Sequence, residues 1–296
     1  MEHFSELFRF QFKHMVSRKR FRLLFLFVVA VITLSFLENC FRYYGMDIGI
    51  IPSAAMGWIG RTPRGAGDVW NLYIFAGFLN YLLLPVGALV FADFYLTDQK
   101  EGTYSIIIAR SSADTYHLSG ALLCFLGAFG IVLIPLLLFY PVCFVLFPHE
   151  AMINPFSNVR PLLDLSHVKE NAVLYPDLFY THPHLSNLIY IFYNSLLAGA
   201  WALFSYTLSR FLQFSRILIY VLPTAALLFL GNLTNLLDWR NSISIDLYMN
   251  PTWYSGPRYP IIFWAYLLIP LFFSAFVIMV RPVSYTHLRA HETRED

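Results

Sequence analysis

Six stretches of apolar residues, each bounded by polar positions, divide the chain. A bilayer core about 30 Å thick needs about 20 mainly apolar residues per helix, and each stretch reaches that length within a few residues. The third stretch is the longest and holds Pro135 and Pro141, which predict a tilt, a kink or a re-entrant end. We therefore predict an all-α membrane protein with six transmembrane helices, at residues 23–37, 72–91, 118–147, 188–208, 217–237 and 261–280.

A different pattern precedes the first stretch. At 3.6 residues per turn, one helical face collects apolar side chains and the other collects charged ones. We therefore predict an interfacial amphipathic helix within a basic N-terminal segment, residues 1–22, ahead of a six-span domain at residues 23–282. A disordered tail is the alternative. The apolar face holds Phe4, Leu7, Phe8, Phe12 and Met15, and the charged face holds Glu2, Glu6, Arg9 and Lys13.

Composition supports a lipid-facing surface. Charged residues make up 13% of the chain, against about 25% in a soluble domain. Of the three cysteines, Cys124 and Cys143 fall in one apolar stretch, where we expect them to pack as small hydrophobic residues. The close pair His182 and His184 lies in a predicted outer loop, and we favour a solvated loop there over a metal site.

The last residues have a separate origin. Residues 283–293 resemble, in one reading frame, the translation of a transposase adapter used in sequencing libraries. We therefore exclude residues 283–296 from structural inference as a non-native tail and expect the natural sequence to be interrupted near Pro282.

The distribution of Lys and Arg predicts the orientation. Eleven of these residues lie in the termini and in the connections after the second and fourth stretches, and six of the eleven lie within residues 1–22. The opposite connections hold seven in a much longer length of chain. By the positive-inside rule, both termini and residues 92–117 lie in the cytoplasm. We expect a multi-pass protein of a plasma membrane, of bacterial origin.

Ionisable residues are scarce at membrane depth. Asn80, Asn194, Asn232 and Asn235 are polar but cannot exchange protons, and Asp93 lies at the inner end of the second stretch. The sequence also lacks the Gly-x-x-x-x-Gly-Lys-Ser/Thr pattern that cradles nucleotide phosphates. We therefore predict no catalytic, cofactor-binding or metal site in this chain, and no enzyme activity of its own. We also expect no nucleic-acid partner.

Residues 92–117, the loop segment, hold the candidate site. Gly102 permits a chain reversal, Thr103 is placed to cap the helix that follows, and acidic residues suit the positive end of that helix. The exposed apolar side chains of Tyr104 and residues 106–108 would then fill a groove on a cytoplasmic partner. The alternative is a capped helix that touches only lipid headgroups. The predicted docking residues are Asp98, Glu101, Gly102, Thr103, Tyr104, Ile107 and Arg110.

The loop segment resembles that of the ABC-2 family of transporter permeases. The resemblance lies in Glu101-Gly102-Thr103, the apolar run at residues 106–108 and the pair Ser111-Ser112, placed between spans two and three. The chain departs from the family at Ala113, where Arg is frequent, and at Gly120, near an expected Lys.

This resemblance implies a membrane subunit that exports an amphipathic compound or peptide. Its implied partners are a separate ATP-binding subunit and a second permease copy or homologous permease. Two other classes stay open: a non-transporting assembly or immunity factor, and a secondary carrier. Small residues in spans three and four would serve packing within the chain or a dimer seam. They include Gly120, Cys124, Ala128, Ser195 and Gly199.

Overall fold

The computed structural model describes residues 2–46, 51–61, 73–149, 174–211, 215–236, 243–251 and 258–280. Within these residues the chain is α-helical and contains no β-strand. In chain order the helices are α1 (Glu2–Ser17), α2 (Lys19–Tyr43), α3 (Ile74–Gly77), α4 (Leu83–Phe91), α5 (Phe94–Lys100), α6 (Thr103–Arg110), α7 (Ala113–Phe139), α8 (Val142–Leu146), α9 (Pro176–Thr181), α10 (Pro183–Ser209), α11 (Arg216–Leu236), α12 (Asp246–Met249) and α13 (Pro260–Val280).

Six helical segments are long and apolar enough to cross a membrane, which confirms the predicted fold class. Most of them are longer than the predicted apolar stretches, because polar residues at their ends find partners in neighbouring elements. The spans are Lys19–Tyr43, Ile74–Lys100, Ala113–Leu146, Pro183–Ser209, Arg216–Leu233 and Pro260–Val280.

Successive spans run in opposite directions, so the bundle has two distinct ends. We call the end that carries α1, α5 and α6 the basic end, because the run Arg18-Lys19-Arg20 lies there. Helix α10 is the centre of the bundle and packs against α7, α4 and α13. Helices α11 and α13 present many large apolar side chains to the outside, among them Ile217, Phe229 and Phe272, as lipid contact requires.

The small residues of spans three and four pack within the chain. The Cys124 thiol donates to the Ala202 carbonyl at 3.3 Å, and a Cβ on Gly199 would lie 3.0 Å from the Phe125 ring. A Cβ on Gly120 would collide with the Phe94 ring at 1.8 Å. These close approaches join α7 to α10 and α5, so the residues serve intrachain packing rather than a seam with a second copy.

The predicted N-terminal helix is present as α1, and it lies against α7. Leu7, Gln11 and Met15 are buried, and the Ser119 hydroxyl of α7 donates to the Gln11 Oε1 at 2.6 Å. Phe12, on the predicted apolar face, is 48% exposed. The buried positions of α1 recur at every fourth residue, and Gln11 is one of them. Its side-chain carbonyl oxygen can be buried because Ser119 donates a hydrogen bond to it.

The second span is not a uniform helix. It begins with α3, continues through a π-helical stretch at Phe78–Leu82 and then through α4, and turns at Ala92 and Asp93 before α5 begins. The third span is interrupted at Tyr140 and Pro141, where α7 ends before α8. The predicted effect of proline therefore occurs at Pro141, while Pro135 lies within α7.

At the end opposite the basic end, described parts of the connections pack on the spans. The Asn187 side chain donates to the Ala55 carbonyl at 2.8 Å, and the Asn194 side chain donates to the Met249 carbonyl at 2.9 Å. Pro176 and Pro183 are the first residues of α9 and α10, where a fixed φ is favourable. Residues 283–296, predicted to be a non-native tail, lie outside the described residues.

Candidate partner-docking site

The loop segment is helical over most of its length. Helices α5 and α6 meet at Gly102, whose φ of +72° is the left-handed conformation that glycine adopts without strain. Thr103 does not cap α6, contrary to prediction. Gly102 occupies the cap position, and the Thr103 hydroxyl instead donates to the Asp98 carbonyl at 3.2 Å, which fastens α6 to α5.

Tyr104 is an inward anchor rather than an exposed docking residue. Its ring is buried, 5.3 Å from the Tyr95 ring and 5.1 Å from the Tyr116 ring between centroids, with edge-to-face geometry in both pairs. Its hydroxyl lies 3.4 Å from the His117 Nε2. The prediction failed at this position because a helix of two turns must bury one side against the bundle, and Tyr104 is on that side.

Asp98 also points inward. The Tyr116 hydroxyl of α7 donates to the Asp98 Oδ2 at 2.5 Å, and the Asp98 side chain is half-buried. The carboxylate therefore ties α5 to α7. The side chain stays partly exposed, and its predicted role as a docking residue stays a prediction.

The outward surface of α6 mixes one large apolar residue with charge. Ile106 is 59% exposed, and Glu101, Ser105 and Arg110 are exposed beside it. Ile107 is half-buried and packs against the bundle core, so it is only in part available to a partner. Of the predicted docking residues, Glu101, Gly102 and Arg110 are exposed, and Ile106 is the one large apolar side chain of α6 that is mostly exposed.

A chain of contacts links α6 to the central helix. His117 of α7 contacts Tyr104 through one ring nitrogen, and its Nδ1 lies 2.6 Å from the Tyr206 hydroxyl of α10. The Tyr206 ring stacks on Phe94 of α5 at 5.0 Å. The sequence analysis placed His117 in a loop and gave it no role. No periodicity along the sequence indicates that positions 117 and 206 are neighbours in the fold.

Beside this cluster, Asp93 is a completely buried carboxylate. Arg20 of α2 donates to both of its oxygens, at 2.9 Å and 3.2 Å, and also to the Tyr220 hydroxyl of α11 at 3.1 Å. Arg216 of α11 lies 3.9 Å from the Asp93 Oδ2. One carboxylate thus connects spans one, two and five. We expected few ionisable residues within the bundle, and Asp93 is one that is fully buried there.

A second buried pair lies at the opposite end. The Glu38 carboxylate accepts from the backbone N–H groups of Tyr73 at 2.7 Å and Ile74 at 3.0 Å, which satisfies donors at the start of α3. Arg42, one helical turn on, lies 3.9 Å from Glu38 and is also buried. Both had been assigned to an outer loop, but α2 continues through them to Tyr43.

The histidines at the two ends of the bundle have different surroundings. His182 is exposed, and the His184 Nδ1 lies 2.8 Å from the Tyr140 hydroxyl. In α1, Arg18 donates to the His14 Nε2 at 2.8 Å and 3.1 Å. Burial and the neighbouring Arg18 charge lower the pKa of His14. Within the described ranges, no three His, Cys, Asp or Glu side chains cluster as metal ligands.

Comparisons with protein-family models, with curated proteins and with solved structures give no match to this chain. Its six spans make it a polytopic membrane protein.

Proposed function

We propose that the chain is the membrane-spanning permease subunit of an ATP-driven transporter of the ABC type, powered by a separate nucleotide-binding subunit. The observation that carries the proposal is helix α6. It is fixed to the bundle on one side through Tyr104, and on the other side it presents Ile106 between Glu101 and Arg110. An exposed apolar side chain flanked by opposite charges suits a groove on a partner protein.

The fixed side of α6 gives the docked partner a mechanical connection to the spans. A movement of α6 shifts Tyr104 against His117, and His117 bonds to Tyr206 on the central helix α10. Packed cores and hydrogen-bonded networks transmit displacements because they resist continuous deformation. Nucleotide binding and hydrolysis by the partner would thereby alternate the spans between two arrangements.

The charge distribution supports the orientation that this function requires. Arg18, Lys19 and Arg20 lie at the same end of the bundle as α6. The positive-inside rule places that end in the cytoplasm, where a nucleotide-binding partner operates. The proposal includes a second copy of the chain, or a homologous permease, and export of an amphipathic compound across a bacterial plasma membrane.

Co-purification with an ATP-hydrolysing protein from the membranes of the native host tests the proposal. The native chain in mild detergent should retain the ATPase. Ile106→Asp and Arg110→Glu should each release it, because both substitutions alter the exposed face of α6. Arg9→Glu on α1 makes the same charge change as Arg110→Glu, at another exposed position of the basic end, and should leave the complex intact.

Recovery of no ATPase with the native chain, or equal loss with all three variants, would refute the docking role of α6. Gly102→Pro is less informative, since proline cannot adopt a φ of +72° and would disturb the turn itself.

A secondary carrier is the second candidate, because a buried carboxylate between spans often marks an ion pathway. Asp93 is such a residue, but Arg20 donates to both of its oxygens, so the carboxylate is already paired. A carrier would take up substrate into sealed vesicles on an ion gradient without ATP, and Asp93→Asn would abolish that uptake. Uptake of this kind would favour the carrier over the ATP-driven permease.

A further inference from the structure

Helices α1 and α2 diverge from their junction at Arg18 and enclose a groove. Its volume is about 580 Å³, within the range of about 300–1,000 Å³ that ligand sites span. We propose that this groove binds one anionic phospholipid of the adjoining leaflet, with an acyl chain along its walls and the phosphate between Lys13 and Arg22. This inference does not depend on the ATP-driven transport proposed above.

The walls of the groove are almost entirely apolar. The exposed fractions of Phe12 and Leu26 are 48% and 61%, so the groove presents a large uncovered apolar area. Its apolar lining comes from both helices: Phe12, Val16, Phe21, Phe25 and Leu26. A hydrocarbon chain would cover this surface, whereas a soluble phosphate or nucleotide would leave it bare.

The rim of the groove carries positive charge. Among the described residues, neither Lys13 nor Arg22 forms an ion pair with a carboxylate, and Arg22 donates only to the Ser17 carbonyl at 3.3 Å. Other members of the basic run face elsewhere. Arg18 lies over the Phe91 ring at 5.3 Å, and Arg20 pairs with Asp93.

The position of the groove favours a lipid over a protein segment. It opens where an interfacial helix meets the first residues of a span, which is the depth at which headgroups give way to acyl chains. Lys13 and Arg22 come from the two different helices, so one phosphate between them would hold α1 at a fixed angle to α2. Juxtamembrane cations attract anionic headgroups in this way.

Exchange of bound lipid in nanodiscs tests the proposal. The purified chain, placed in discs of phosphatidylglycerol and phosphatidylcholine at equal amounts, should retain phosphatidylglycerol selectively, as measured by native mass spectrometry. Each cation should contribute about fivefold to the selectivity, so Lys13→Gln with Arg22→Gln should reduce it by about 25-fold. All the altered side chains are exposed, so the fold should be retained.

Two controls separate a built site from diffuse surface charge. Lys19→Gln removes an exposed cation of the same basic run that does not line the groove, and it should leave the selectivity within twofold of the native value. Val16→Trp keeps every charge but fills the groove, and it should expel the lipid. Selectivity that survives Val16→Trp, or that falls equally with Lys19→Gln, or that is absent from the native chain, would overturn the proposal.

Discussion

Arg20 and Asp93 form a bidentate ion pair, although they lie 73 positions apart in the sequence. The Asp93 carboxylate is completely buried, and the Arg20 side chain is about one-third exposed. The pair joins the first turn of span one to the turn that divides α4 from α5. Tyr220 and Arg216 add the fifth span to the same point. Three spans therefore meet at one charged group directly beside the helices that form the candidate docking site.

Removal of one member of this pair should be costly. Arg20→Met leaves the buried Asp93 with Arg216 at 3.9 Å as its remaining charge partner. We expect a loss near the lower end of the roughly 3–5 kcal/mol that follows from breaking buried pairs, because water already reaches Arg20. The free energy of unfolding in detergent measures the effect. Arg20→Met with Asp93→Leu should recover part of the loss, and a double variant less stable than Arg20→Met would contradict this account.

Two glycines of α7 should respond in opposite ways to the same substitution. A Cβ on Gly120 meets the Phe94 ring at 1.8 Å, so Gly120→Ala should destabilise the protein by about 1–3 kcal/mol through overpacking. Gly130 has no foreign atom closer than 3.9 Å to an added Cβ, so Gly130→Ala should be neutral or stabilise the helix by up to about 1 kcal/mol. Equal effects of the two substitutions on the melting temperature would disprove the close packing of Gly120.

Tyr104 should stabilise the loop segment far more than its exposed neighbour does. Tyr104→Ala removes a buried ring from the cluster with Tyr95 and Tyr116, and we expect a loss of about 3 kcal/mol together with faster proteolysis within residues 92–117. Ile106→Ala, at an exposed position of the same helix, should change stability by less than about 0.5 kcal/mol. Limited proteolysis that cleaves both variants alike would show that Tyr104 is not an anchor.

The proposed orientation gives a labelling prediction. In a Cys40→Ser background, with Cys124 and Cys143 buried, a membrane-impermeant maleimide added to intact cells should label Tyr44→Cys at the end of α2. It should label Glu101→Cys at the opposite end only after the cells are permeabilised. Labelling of Glu101→Cys in intact cells would exclude a cytoplasmic partner at α6.

His14 makes the attachment of α1 sensitive to acid. Burial and Arg18 lower its pKa below the value near 6.5 of the unfolded chain, so the unfolded state takes up the proton first as the pH falls. Stability should therefore decrease below about pH 6.5 and be unaffected by His14 above it. His14→Gln should reduce this slope in melting experiments from pH 7.5 to pH 5. An identical pH dependence in both proteins would refute the effect.

The apolar pattern alone determined the class of this protein. Six apolar stretches long enough to cross a bilayer, with few charges, favour transmembrane helices. In a helix, every backbone polar group within lipid is hydrogen-bonded inside the same segment. The amphipathic N-terminal helix follows from periodicity in the same way, whereas its contact with α7 through Leu7, Gln11 and Met15 is set by the tertiary structure.

The tertiary structure decided which side chains face inward. Nothing local to the sequence brings Asp93 to Arg20, Tyr104 to His117 or Glu38 to the start of α3, because each contact joins positions that only helix packing makes neighbours. Whether a position is apolar depends on its contact with lipid or water, so the apolar pattern can be recognised from each residue by itself. The pairing of polar groups is set by the need to satisfy each buried one, and that depends on the whole arrangement of helices.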